Sequence, residues 1–145
     1  FTSTALQEPL QLNGIPLLQL TVQSDQPGFD LCVALSIVNR SHSEVKQLST
    51  GFLRVQGEQA LRMLPRKVKL QPLLADLQRG EHLRLSLAGA AWPAIGVNPG
   101  HDCHPCGPPG PHCQVVTMTL QLNGSKLRLL PWNSGKIDFD LPQEF

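Results

Sequence analysis

Six side chains able to bind a borderline-soft metal fall close together: His101, Cys103, His104, Cys106, His112 and Cys113. Zinc takes thiolate and imidazole ligands in a tetrahedral shell. Cys103 and Cys106 have the C-x-x-C spacing that lets two thiolates reach one ion, and Cys113 with His104 would complete four ligands. A firm zinc motif carries a second spaced pair farther along the chain, and none follows here. That absence favours the competing reading, a loop whose thiols are free or joined in one disulfide. No cofactor is therefore the default expectation, with zinc as the candidate that a metal-stabilised interaction domain would need. Cys32, in an apolar stretch, reads as a small buried hydrophobe.

Other chemistry fails on inventory. There is no Gly-x-Ser-x-Gly elbow to expose a nucleophilic serine. Gly135-Lys136 is followed by Ile137 and lacks the glycine that a phosphate-binding loop needs upstream. Asp30, Glu44, Asp102 and Asp138 could pair as glycosidase carboxylates, but solvated loop acids are the simpler account of each. Trp92 and Trp132 could stack on sugars. With no tyrosine in the chain, they read instead as packing residues that cover the open edges of a core.

These residues must be positioned by strands. Phe29, Leu31, Val33, Leu35 and Ile37 alternate with Asp30, Cys32, Ala34, Ser36 and Val38, a pattern that leaves neither face strongly polar. Such a strand belongs in the middle of a sheet whose outer side is also partly covered, for instance by a neighbouring domain. Shorter alternation marks Leu18–Val22, Leu83–Leu87 and Val116–Leu122, with further pieces at Val68–Leu70, Leu127–Leu129 and Ile137–Leu141. Asn123-Gly124 between two such runs predicts a hairpin. Pro72 to Gln78 is the one stretch that suits a helical turn or two. Pro99 to Gln114, dense in proline and glycine, must be a surface loop. The expectation is an all-β chain of two packed antiparallel sheets, with closure into a barrel as the lesser alternative.

The 145 residues form a single domain, 1–145, with a net charge of +1 and no Lys/Arg block. That balance gives no footprint for nucleic acid or for an anionic membrane surface. The longest apolar stretch, Leu87 to Val97, is too short to span a bilayer. The first residues carry no secretory signal and no initiating Met, so the chain reads as a piece of something longer, and the cytoplasm is the expected location. A homo-oligomer is left open.

Several segments taken together resemble a known family. Phe1-Thr-Ser, Asn13-Gly14, Leu20-Thr-Val-Gln-Ser24-Asp25, Asp30-Leu31, Leu48-Ser-Thr-Gly51-Phe-Leu-Arg54, Gly80-Glu-His-Leu-Arg-Leu85, Ala91-Trp92-Pro93 and Asn98-Pro99 run in one order. It is the order seen in the C-terminal domain of the X-Pro dipeptidyl-peptidase and cocaine esterase (CocE/NonD) family of serine hydrolases. The resemblance implies a jelly-roll β-sandwich of the galactose-binding-like type, following an α/β-hydrolase catalytic domain of the same polypeptide. It implies a Ser-Asp-His triad in that other domain and no catalytic residue here. The role it implies is packing on the catalytic domain and shaping its substrate cleft. The alternative is a carbohydrate or small-ligand binding module that uses the loops at one end of the sandwich.

Overall fold

Alternating apolar side chains reach a common core only if the backbone is extended. A computed structural model describes residues 1–101, 110–132 and 135–141, and places nine strands among them. They are β1 (Leu10–Gly14), β2 (Leu17–Ser24), β3 (Gly28–Val38), β4 (Val45–Gln56), β5 (Leu64–Lys69), β6 (Leu73–Leu77), β7 (His82–Ala88), β8 (Met118–Leu129) and β9 (Ile137–Asp140). One sheet has the order β4-β3-β7 and a second β5-β2-β8-β9, while β1 pairs with β6. Every strand pairing is antiparallel. The chain is thus an all-β sandwich, as its periodicity predicts.

The two larger sheets share one hydrophobic cluster. Leu31 and Leu35 of β3 and Leu85 of β7 meet Leu18 and Leu20 of β2 and Leu127 of β8, all buried. Each comes from an alternating run, so the period-2 pattern decides which face turns inward. One bridge, Leu12 of β1 with Pro131, ties the β1-β6 pair to the stretch after β8, and a second, Gly51 of β4 with Leu70, ties β4 to the residue that follows β5.

Two local expectations are corrected. Asn123-Gly124 does not turn a hairpin but lies inside β8, with Gly124 at φ +77°. Both arms of β8 pair with the same neighbour, Met118–Gln121 opposite Thr21–Ser24 and Lys126–Arg128 opposite Leu17–Gln19. The residues between them form a bulge. Ser125 fills it: its hydroxyl donates to the Gln121 carbonyl at 2.7 Å and accepts from the Thr21 amide at 3.3 Å. Pro72 to Gln78 is not helical either, since Leu73–Leu77 form β6 against β1. Leu73 and Leu77 are both buried, and a spacing of four serves one face of a strand as well as one face of a helix.

Leu35 is fully buried at the centre of the cluster. Leu35→Ala is expected to lower stability by about 2–5 kcal/mol, read as a lower urea midpoint at unchanged slope.

Candidate functional site

β3 is buried along almost its whole length on both faces. Its inner face meets the other sheet. Its outer face begins with a carboxylate, Asp30, which is only 2% exposed. A buried charge must be paired, and the register supplies the partner, because Asp30 lies opposite Arg54 of β4. The guanidinium makes a two-pronged contact, Nε to Oδ1 at 2.7 Å and Nη2 to Oδ2 at 2.6 Å. These hydrogen bonds raise the Arg54 pKa above its ordinary value.

The same pair holds the connection that follows β7. Arg54 donates to the Gly96 carbonyl at 2.7 Å, and the Asn98 side-chain amide donates to Asp30 Oδ1 at 2.9 Å. Asn98 Oδ1 in turn accepts the Gly100 amide at 3.0 Å. The connection presses so closely on β3 that a Cβ at Gly28 would stand 2.8 Å from the His101 carbonyl oxygen. One step farther on, the Gln114 amide donates to the Pro99 carbonyl at 2.8 Å, which ties the two ends of this stretch together.

Beyond Asp30 the outer face turns neutral and small. Cys32 lies between Phe52 of β4 and Ala88 of β7, and Ala34 between Thr50 and Ser86. These two rows floor a trough of about 790 Å³. Phe52 forms one wall, with the Arg54 guanidinium 5.4 Å from its ring centroid. Ala91, Ala94 and Ile95 form the opposite wall, on the connection that Asp30 and Arg54 hold. Burial pushes the Cys32 thiol pKa up, with Asp30 adding to the effect, so the thiol stays protonated and unreactive.

The sequence candidates fare unevenly against this arrangement. Asp30 is no solvated loop acid; it is the buried half of an ion pair inside a strand. Asp138 is also paired, to Arg128 at 2.7 Å and Lys126 at 3.1 Å, and those contacts, Arg128 first, hold its carboxyl well below the usual range. Glu44 is exposed on the turn before β4, and Asp102 lies outside the described residues. So do Cys103, His104 and Cys106, while Cys113 is half-buried and its Sγ accepts the Gly110 amide at 3.3 Å. Among the described residues no three His, Cys, Asp or Glu are gathered to hold a metal ion. Trp92 and Trp132 are not packing residues: they are 66% and 62% exposed. Trp92 begins a cis bond to Pro93 beside the trough wall. Its position follows from the Gly96 and Asn98 anchors, which hold the connection by backbone and amide groups and leave the indole outside. Arg54 has no sequence signal of its own here, since only the pairing of β3 with β4 sets it opposite Asp30.

The fold and this face define a β-sandwich module with a trough on the outer side of one sheet. Residues 1–127 match the X-Pro dipeptidyl-peptidase C-terminal non-catalytic domain, and the chain belongs to that family. Solved structures share the fold. An α-amino acid ester hydrolase matches at 18% identity and TM-score 0.78 over 90% of this chain and 25% of its own. An aminopeptidase from a marine sediment Thaumarchaeota archaeon matches at 17% and 0.70 over 83% of this chain and 23% of its own. A CocE/NonD family hydrolase from Staphylococcus aureus matches at 19% and 0.58, over 90% and 30%. The chain therefore spans between about a quarter and a third of the length of the solved chains it matches. Among curated proteins, none matches it.

Arg54→Met is expected to cost roughly 3 kcal/mol, because it leaves the Asp30 carboxylate buried without its partner. Faster amide exchange at Gly100 would show that the loop anchor loosens with it. For Asp138 the carboxyl pKa is lower folded than unfolded, so the pair's contribution is present above the unfolded value, ~3.9, and is lost as pH falls toward the folded one. Asp138→Asn should thus flatten the fall in unfolding midpoint between about pH 5 and pH 2, a change read by thermal scans across that range.

Proposed function

We propose that this chain is the accessory domain of a longer serine hydrolase that acts on acyl bonds of peptides or esters. In this reading the domain packs on the α/β-hydrolase domain of the same polypeptide and helps shape its substrate cleft. The observation that carries the proposal is the outer face of the β4-β3-β7 sheet. Rows of Cys, Ala, Ser, Thr and Phe flanked by an exposed Trp92 are an odd surface to leave in water, and they suit the core of an interface, with Lys69, Gln47 and Gln71 also lining the trough. Family membership supports the same role, as does the size of the solved relatives of this fold. The absent serine elbow fits too, since the nucleophile is then supplied by the other domain.

The test compares this chain with the full-length protein on p-nitrophenyl esters and an X-Pro p-nitroanilide. Only the longer protein should turn over either substrate. Hydrolysis by this chain above a heat-denatured control would overturn the reading. Ser86 is exposed on the trough floor, so Ser86→Arg should leave this chain's own stability within about 0.5 kcal/mol. The same change should lower the thermal midpoint of the full-length protein.

A further inference from the structure

β7 is an edge strand of the β4-β3-β7 sheet, and an open edge is a row of unpaired backbone donors and acceptors. Here part of the edge is already covered by the start of the chain. The Leu85 amide donates to the Phe1 carbonyl and the Phe1 nitrogen donates to the Leu85 carbonyl, both at 2.8 Å. Ser3 donates to the Leu83 carbonyl at 2.8 Å, Leu83 donates back to the Ser3 hydroxyl at 3.0 Å, and Thr2 bridges Arg84 antiparallel. This is a strand pairing in all but length. The bond from the Phe1 nitrogen needs no ammonium group, because a peptide N–H in a longer polypeptide makes it equally well.

In an antiparallel ladder the bonding residues alternate. Leu83 and Leu85 face the edge, so the amide and carbonyl of Leu87 face it too, one pair beyond Phe1. β7 continues there to Ala88. The neighbouring outer-face residues of the strand, Ser86 and Ala88, floor the trough.

We infer that the polypeptide immediately N-terminal to Phe1 forms a further β-strand on the edge of β7, exchanging backbone hydrogen bonds with Leu87 and widening the sheet to four strands. This rests on the accessory-domain reading, which supplies a preceding segment. The occupant is then a short extended stretch of the same polypeptide, and its pattern is set by the register. The residue just before Phe1 stands opposite Ser86 and extends the row of Thr50, Ala34 and Ser86. The one before it stands opposite Leu87, turns inward as Phe1 does, and is apolar. The third stands opposite Ala88 and extends the row of Phe52, Cys32 and Ala88. The connection to the preceding domain would therefore be part of the contact surface itself rather than a loose tether.

Amide exchange at Leu87 tests this in three proteins: this chain, this chain extended by the few natural residues before Phe1, and the full-length protein. Slowing on the order of tenfold or more in both longer proteins is the expected result. Protection only in the full-length protein would assign it to docking of the other domain; the strand would be overturned while the accessory reading stood. No protection in either would overturn the strand, leaving the accessory reading to its activity comparison. A charged residue two positions before Phe1 would also count against the strand.

Discussion

β3 has no side to give to water. Eleven residues long and central in its sheet, it is buried above by the second sheet and below by neighbours on its own outer face. A strand in that position tolerates a charge only where a partner is fixed opposite, since the cost of desolvating an unpaired carboxylate exceeds what the surrounding packing returns. Asp30 meets that condition through Arg54, and Arg54 is held in turn by Gly96 and by the face of Phe52. The ion pair therefore does more than neutralise a charge. It decides where the connection after β7 lies, and with it one wall of the trough.

That arrangement links stability to function through geometry. The floor of the trough is made of small side chains because larger ones would fill it, and its walls stand because Asp30, Arg54 and Asn98 fasten a connection that has no regular structure of its own. A surface held this way is preformed, which lowers the ordering cost of any contact made there. The segment rich in cysteine and histidine begins from the same anchored stretch, with Pro99 and Gln114 bonded to each other.

Much of this was readable from alternation. The two-faced apolar pattern of β3 placed it mid-sheet, and the runs at Leu18, Leu83 and Leu127 turned the faces that meet in the core. Where local signals misled, two structures shared one signature. A bulge and a hairpin both use a glycine at positive φ and both switch which residues face inward, as happens between Leu122 and Ser125; what separates them is whether the second arm pairs with the first or with a third strand. The Leu73 and Leu77 spacing suits two kinds of element in the same way. The tryptophans read as core-covering rings by size, yet both lie outside the strands, in exposed connections. Asp30 and Arg54 lie 24 residues apart in the chain, and only the strand register brings them together.

The bulge in β8 has an effect on how the domain could vary in length. Because the Ser125 hydroxyl satisfies the backbone groups at the break, the two arms of β8 hold their places on β2 separately. Extra residues between Asn123 and Gly124, both exposed, would lengthen a surface protrusion without sliding either arm. The middle of the sheet's long strand thus offers an insertion point, a property more often found at the tips of turns.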